Sequence, residues 1–172
     1  FQECASAFAS ALRNIPGWHF DSSSRLCFLS RFEILDVLEM DREALEFAGG
    51  AGVVVTYRID LNGTPVHLTN LHLETPRAGF ELIRAGRLPA GILKTREKSL
   101  LRGVELRQAR IWADRFQGPH IVVGDFNTPP ESRLFRQSWG GWRNAFSRAG
   151  WGFGGTRLNG WIRVRIDHIL TS

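Results

Sequence analysis

One β-hairpin constrains this chain more than any other feature of its sequence. The runs "AGVVVTYRID" and "TPVHLTNLHLE" are rich in Val and Thr, and Leu61, Asn62 and Gly63 lie between them. Asn-Gly is the strongest short-range hairpin signal, because both residue types tolerate the positive φ angles of a two-residue turn. We therefore predict two antiparallel strands, with His72 near the end of the second.

A second apolar run, "HIVVGDFNTPP" at residues 120–130, predicts a buried strand that stops at polar side chains. Asp125 and Asn127 flank Phe126, so in extended geometry they point the same way while Phe126 points toward the core. The two prolines that follow end the strand. Standing alone, an Asp-x-Asn sequence is more often a capped turn than a functional site.

The rest of the sequence mixes helix and strand patterns. Residues 5–15, 97–116 and 132–137 have helical patterns, residues 25–40 predict strand, turn and strand, and residues 161–170 predict a last strand. Along the helix at 97–116, four apolar residues recur at helical spacing and four arginines are left for the solvent side. The apolar residues are Leu101, Val104, Ile111 and Trp112, and the arginines are Arg102, Arg107, Arg110 and Arg115. With no internal repeat or linker, residues 1–172 predict a single α/β or α+β sandwich domain.

The positive charge lies mainly in the second part of the chain. The net charge is +5; residues 1–60 hold five basic and nine acidic side chains, and residues 61–172 hold seventeen and eight. A field of this sign favours polyanionic partners such as nucleic acid, phosphorylated metabolites or anionic lipid. Twenty of the 22 basic residues are Arg, so an Arg-rich genome is an alternative reason for the excess.

The chain lacks an initial methionine and a signal pattern, so we expect a fragment of a longer protein. No apolar run approaches the roughly 20 residues that cross a bilayer. A membrane anchor in flanking sequence stays open, as do the compartment and the oligomeric state. The two cysteines, Cys4 and Cys27, fit neither a zinc pattern nor a disulfide-dense scaffold, and we expect small apolar packing, with a bridge between them left open.

Polar side chains at strand ends form a candidate site. Besides Asp125 and Asn127, the set includes Glu3, His72 and Asp167. Singly, Glu3 is more often a surface acid, His72 a satisfied core histidine, and Asp167 an ion-pair partner for a nearby Arg. Together, three carboxylates, an amide and an imidazole suit a hard divalent cation and the hydrolysis of a phosphate ester.

These segments resemble the endonuclease/exonuclease/phosphatase superfamily, in the family's order along the whole chain. The matching segments are "FQE" at 1–3, "LSRF" at 29–32, "NLHLETP" at 70–76, "GDFN" at 124–127 and "RIDHIL" at 165–170. The superfamily includes pancreatic-type deoxyribonucleases, apurinic-site endonucleases, sphingomyelinases and inositol-phosphate phosphatases. The resemblance implies a deoxyribonuclease I-like sandwich of two sheets flanked by helices.

The resemblance also implies a role for each matching residue. Glu3 and Asp125 would bind Mg²⁺, with Mn²⁺ as an alternative, and Asp125 would also orient or deprotonate the attacking water. Asn127 would hydrogen-bond the phosphate or the water, and His72 would lie beside the phosphate or leaving group. Asp167 matches an aspartate that orients a catalytic histidine near the C-terminus.

Two parts of the family pattern are missing from the sequence. The family has an Asn-bearing strand before the glutamate and a Ser-Asp-His triplet after the aspartate strand, and neither is present. We therefore expect a fold that is incomplete at both ends, and whether the fragment is active by itself is left open. His168 is adjacent to Asp167 but should face the opposite side of its strand.

Residues 132–166 bear on the substrate, because they contain seven arginines, no acid and several aromatic residues among glycines. Arginines with exposed aromatics are typical of nucleic-acid binding, whereas buried tryptophans and solubilising arginines are the alternative. From this segment we take Arg157, Arg165 and Trp151 as candidate substrate-binding residues. The favoured function is a Mg²⁺-dependent nuclease or phosphodiesterase; a phospholipid or inositol-phosphate hydrolase and an inert polyanion-binding fragment are the alternatives.

Overall fold

The predicted hairpin lies in a six-stranded sheet. The computed structural model describes residues 15–22, 26–47, 49–159 and 162–172. Their strands are β1 (His19–Asp21), β2 (Phe28–Ser30), β3 (Ile34–Glu39), β4 (Val53–Leu61), β5 (Thr64–His72), β6 (His120–Asp125), β7 (Arg143–Asn144), β8 (Arg157–Asn159), β9 (Ile162–Val164) and β10 (Asp167–Thr171). The large sheet has the order β3-β4-β5-β6-β10-β7, while β1 pairs with β2 and β8 with β9. Strands β5 and β6 are parallel, and the other neighbours are antiparallel.

Of the five helices that the structure describes, three pack on one face of this sheet. They are α1 (Glu43–Phe47), α2 (Arg77–Arg84), α3 (Leu88–Ala113), α4 (Arg133–Trp139) and α5 (Ala145–Ala149). Together α2 and α3 form the crossover that two parallel strands such as β5 and β6 require. Within the described ranges, no helix is both long enough and apolar enough to span a membrane.

The Asn-Gly hairpin is confirmed, with register Leu61 opposite Thr64 and Val53 opposite His72. Asn62 and Gly63 have φ angles of 52° and 86°. Positive φ at both central residues is the backbone of the turn that matches the twist of the flanking strands. The turn is closed further by the Gly63 N–H, which donates to Asp60 Oδ1 at 2.6 Å.

Two apolar layers, one on each face of the sheet, make the predicted sandwich. On one face, Val54, Leu71 and Val122 pack with residues of α3 and α4. On the other, Val53, Val55 and Tyr57 pack with the β1-β2 sheet, whose Phe28 ring stacks on Tyr57 at 4.2 Å. The alternation along β4 sends neighbouring side chains to the two layers, as the pleat requires. The predicted class, strands in a sandwich flanked by helices, is confirmed.

Two predictions about α3 are wrong. The helix begins at Leu88, in front of the predicted start at residue 97, because Pro89 is tolerated in a first turn. Its buried side holds Leu106, Ala109 and Ala113, whereas Val104 and Ile111 are exposed. Ala109 and Ala113 are small enough to let the helix approach the sheet closely, and Leu106 is the large apolar residue that packs beside them.

The predicted last strand is divided into β9 and β10. Ile166 leaves the sheet between them: its carbonyl accepts from Phe126 N at 2.9 Å and its N–H donates to Thr156 Oγ1 at 3.1 Å. Cys27 is disulfide-bonded, which corrects its expected packing as a free thiol. Cys4 and the helix predicted for residues 5–15, apart from Ile15, lie outside the described residues.

Candidate functional site

Three of the predicted site residues lie in one row across adjacent strands. His72 at the end of β5 pairs with Asp125 at the end of β6, and Asp125 pairs with Asp167 at the start of β10. Residues at paired positions project from the same face of a sheet. His72 Nε2 is 3.8 Å from Asp125 Oδ2, and both side chains are partly exposed. The row therefore presents an imidazole and two carboxylates at one edge.

Asn127 reaches the same edge by a route that the sequence pattern does not predict. The strand ends at Asp125, and Asn127 has a φ of 47°, so the predicted extended geometry is wrong here. Its N–H donates to Asp125 Oδ1 and its Nδ2 donates to Leu73 O, each at 2.7 Å. Asn tolerates this left-handed backbone better than most residues. The second N–H of the Nδ2 amide is still available as a donor.

Phe126 points into the core, as predicted, and is fully buried. Its ring makes edge contacts with Trp139 and His168. His168 is confirmed to face away from Asp167: it is buried, and its Nε2 lies 2.9 Å from Thr128 O. The aromatic contacts beneath the strand end fix the direction in which Asp125 projects.

Burial is the main cause that raises the pKa of the Asp125 carboxyl. The Asp167 carboxylate raises that pKa further, while the Asn127 N–H, His72 and Arg157 act in the opposite direction. A carboxylate with a raised pKa accepts a proton more readily than an ordinary aspartate. The row thus holds a candidate base, and its paired acidic groups would be stabilised by a cation.

Gly124 lets β6 pass close to β5 just before Asp125. Its φ is 138°, and a Cβ atom at this position would collide with the Leu71 carbonyl oxygen. This backbone region is essentially restricted to glycine. The glycine of the "GDFN" segment therefore permits the close pairing of β5 and β6 in which His72 lies opposite Asp125.

Replacing Gly124 with Ala should lower the free energy of unfolding by roughly 2–5 kcal/mol, from backbone strain and overpacking together. Urea unfolding of Gly124→Ala measures the loss. Gly141→Ala is the matched control, because a Cβ atom there meets nothing within 4 Å. Equal stability of the two variants would contradict this account of Gly124.

The carboxylate of Glu105 is buried and binds the loop that follows His72. In the sequence, Glu105 has the same pattern as an ordinary exposed glutamate on a helix, so it is not predicted. Glu105 of α3 is fully buried. Its Oε1 accepts from Gly52 N at 2.9 Å and its Oε2 accepts from Glu74 N at 2.5 Å. Lys98 Nζ lies 3.2 Å from Glu74 Oε2. Burial raises the pKa of Glu105, although the two backbone N–H groups oppose the rise.

The predicted substrate-binding residues have different surroundings. The positive charge of Arg157 lowers the pKa of Asp125. Arg157 also lines a groove of about 820 Å³, and Asn127 is part of the same lining. Arg165 instead lies 4.6 Å over the Phe146 ring and donates to Ser147 Oγ at 3.0 Å. Trp151 is almost fully exposed. The structure thus brings Arg157 to the site and gives Arg165 other partners.

Glu3, the predicted metal ligand, lies outside the described residues. Among the residues that the structure does describe, no group of three or more His, Cys, Asp or Glu side chains could hold a metal ion. Asp125 and Asp167 are therefore the carboxylates that the described part of the row offers to a cation.

The sequence matches the model of the Endonuclease/Exonuclease/phosphatase family over residues 1–172. The chain belongs to this family, and its fold is that of phosphoester hydrolases. Among curated proteins, none has a significant sequence match.

Solved structures with the same fold include D. rerio TDP2 and ANGEL2. TDP2 complexed with single strand DNA product is 13% identical with a TM-score of 0.67, covering 96% of this chain and 66% of that chain. A humanized D. rerio TDP2 is 16% identical with a TM-score of 0.66, covering 96% and 65%. ANGEL2, a 2′,3′-cyclic phosphatase, is 15% identical with a TM-score of 0.55, covering 99% and 67%. The chain spans about two thirds of these solved chains, which share the deoxyribonuclease I-like sandwich.

Proposed function

We propose that this chain is a Mg²⁺-dependent phosphodiesterase that acts on nucleic acid. The observation that carries the proposal is the row of His72, Asp125 and Asp167 on three adjacent strands. Side chains at paired positions on adjacent strands are held close together, so they can contact one substrate group without any movement of the sheet. Family membership supplies the reaction class, and the basic groove beside the row favours a polyanionic substrate.

Asp125 is proposed to orient the attacking water and to accept its proton. Its raised pKa supports this role, because a proton acceptor works best when its pKa is near the working pH. Asn127 is proposed to donate its remaining amide N–H to a phosphate oxygen or to the water. His72 is proposed to lie beside the phosphate or the leaving oxygen, a role that its position next to Asp125 supports. Asp167, whose family counterpart orients a histidine that this sequence lacks, is proposed to add its carboxylate to the site from the position paired with Asp125.

The residues of the row fit a hard cation. Oxygen ligands are preferred by Mg²⁺, and Asp125 lies at a position paired with Asp167, whose carboxylate raises the pKa of Asp125. We propose that Asp125, together with Glu3, holds Mg²⁺ or, alternatively, Mn²⁺. The cation would neutralise charge on the phosphate and lower the pKa of a bound water. Binding of Mg²⁺ would also lower the pKa of Asp125.

Removing the divalent cation should abolish hydrolysis. The test is digestion of single-stranded oligonucleotide and plasmid with Mg²⁺, with EDTA, and with EDTA followed by excess Mg²⁺. Loss of cleavage in EDTA and its return with Mg²⁺ are expected. Hydrolysis that persists in EDTA would contradict a metal-dependent mechanism, and binding without turnover in Mg²⁺ would favour the inert polyanion-binding alternative.

The substrate class is tested in parallel. Release of phosphocholine from lipid, or of free phosphate from inositol phosphates, is measured under the same conditions as oligonucleotide cleavage. We expect cleavage of the oligonucleotide to be faster. Faster turnover of the lipid or inositol substrate would replace nucleic acid as the proposed substrate while leaving the reaction class unchanged.

A further inference from the structure

A groove runs from the candidate site along the helical hairpin of α2 and α3. Its volume is about 820 Å³, and residues of β9 and the segments around it form the opposite wall. This size lies in the range of ordinary ligand sites. Neither the family match nor the sequence motifs assign a ligand to the hairpin wall.

The groove begins at the reacting groups. Asn127 lines it, and the Asn127 N–H is bonded to the Asp125 carboxylate at 2.7 Å. Arg157 also lines it and lowers the pKa of Asp125 through its charge. If the scissile phosphate of a substrate is bound at Asp125, the next part of that substrate would therefore lie in the groove.

The charge in the groove is strongly positive. Arg77, Arg84 and Arg102 line it from the hairpin side, Arg157 joins them from the other wall, and Glu81 is the acid among the lining residues. Within the described part of the chain, Arg77 and Arg84 form no ion pair with a carboxylate, whereas the charge of Arg102 interacts with Glu74 and Glu105 and that of Arg157 with Asp125. Guanidinium groups without an acidic partner are suited to bidentate binding of phosphate.

The groove also offers apolar surface between its charges. Phe80 on α2 lines it and is half exposed, with 51% of its surface accessible. Ile83 and Val164 lie in the same lining. Alternating arginines and an exposed aromatic ring are the combination that binds single strands, because phosphates pair with the arginines and unstacked bases stack on the ring.

We propose that this groove holds the single-stranded nucleic acid next to the scissile phosphate, with Arg77 and Arg84 binding phosphates and Phe80 stacking on a base. The proposal rests on the proposed function and names the part of the site that recognises the strand. A single strand is favoured over a duplex, because a base must be unstacked to reach Phe80. It is also favoured over a lipid surface, because the arginines line a concave groove.

The first test is equilibrium binding of the full chain in EDTA, so that no cleavage occurs. Fluorescence anisotropy with a labelled single-stranded 12-mer is measured over a range of salt concentrations. The variant is Arg77→Ala/Arg84→Ala, and the matched control is Arg96→Ala/Arg107→Ala, two exposed α3 arginines outside the groove lining.

The groove variant should bind about tenfold or more weakly, and the slope of log K against log salt should fall in magnitude by about 1.4, or about 0.7 for each lost phosphate contact. Phe80→Ala should weaken binding by about 5- to 150-fold, the usual cost of losing one stacked base. Phe47→Ala, at a position that is almost fully exposed, is its control. An unchanged slope, or equal losses in the groove and control variants, would overturn the proposal.

The second test is turnover with Mg²⁺ on two substrates of different size. For the groove variant, kcat/KM should fall about tenfold on the 12-mer but stay within about twofold on bis(p-nitrophenyl) phosphate, which is too short to fill the groove. Equal losses on both substrates would overturn the proposal. Loss of binding to phosphatidylserine vesicles with unchanged oligonucleotide affinity would also overturn it, in favour of a membrane surface.

The two proposals fail in different ways. If the wild-type chain cleaves neither substrate but binds the 12-mer with an arginine-dependent salt slope, the proposed function fails and the groove assignment stands. If the chain cleaves both substrates and the groove variant behaves like the wild type, the groove assignment fails and the proposed function stands.

Discussion

Asp125→Asn should lower kcat by roughly 100- to 10,000-fold, the usual range for a residue that transfers a proton in the rate-determining step. The amide has the shape of the carboxylate, and its oxygen can still accept the Asn127 N–H, which now lies 2.7 Å from Asp125 Oδ1. Affinity for the oligonucleotide should therefore change little. Steady-state kinetics gives the change in kcat, and anisotropy in EDTA gives the affinity.

The same variant should be at least as stable as the wild-type chain. Burial and the neighbouring Asp167 raise the pKa of Asp125, which means that the folded state disfavours its charge. A neutral amide removes that cost, so thermal unfolding should occur at an equal or higher temperature. Loss of activity with unchanged or increased stability is typical of a residue selected for function.

Asp36→Asn is the matched control, because Asp36 is an exposed aspartate on β3 of the same sheet. It should leave kcat within about twofold of the wild type. Near-normal turnover of Asp125→Asn would remove Asp125 from the mechanism. A large loss of stability in Asp125→Asn would show instead that the carboxylate has a structural role.

Glu105→Ala should lower the free energy of unfolding by about 4 kcal/mol. The substitution leaves the N–H groups of Gly52 and Glu74 buried without an acceptor, at a cost of about 1–3 kcal/mol each, and adds a cavity. Glu105→Gln should cost about 2 kcal/mol, because an amide offers one oxygen to two donors. Urea unfolding of both variants measures these values.

Glu97→Ala is the control for Glu105, because Glu97 lies on the same helix and is exposed, where it pairs with Lys94 at 2.8 Å. An exposed pair of this kind contributes little to stability, because water and salt screen the two charges. Similar stability losses in Glu97→Ala and Glu105→Ala would contradict the role given to Glu105. Activity should also fall in Glu105→Gln, because Glu74 adjoins Leu73, whose carbonyl holds the Asn127 side chain.

Local signals in the sequence are sufficient for the hairpin and for most strand ends. The Asn-Gly turn fixes β4 and β5, and the apolar run before Asp125 fixes β6, so His72 and Asp125 could be placed at strand ends. The alignment of Asp167 with them depends on strand pairing between segments far apart in the chain. Asp167 is grouped with His72 and Asp125 because the matching segments occur in the same order as in the family.

Other features could not be predicted, because they depend on distant neighbours. The backbone of Asn127 is set by Leu73 O, and the burial of Glu105 is set by donors at Gly52 and Glu74. On α3, Leu101 and Val104 have the spacing of a buried face, but Ala109 and Ala113 contact the core. The periodicity of apolar residues identifies the helix. Which side of the helix is buried depends on how closely it approaches the sheet, and the sequence pattern does not show that distance.

Under the proposed function, the parallel pairing of β5 and β6 would place the catalytic residues and the strand-binding groove on different parts of one polypeptide. His72 and Asp125 are fixed relative to each other by backbone hydrogen bonds in the sheet, while the segment that joins their strands, α2 and α3, forms the groove wall. Insertions and substitutions on the exposed side of that connection would reshape the groove without shifting the paired strand ends, whereas Glu105 of α3 is bonded to the loop that follows β5. If both proposals hold, changes in the crossover would alter the substrate while His72 and Asp125 keep their relative positions.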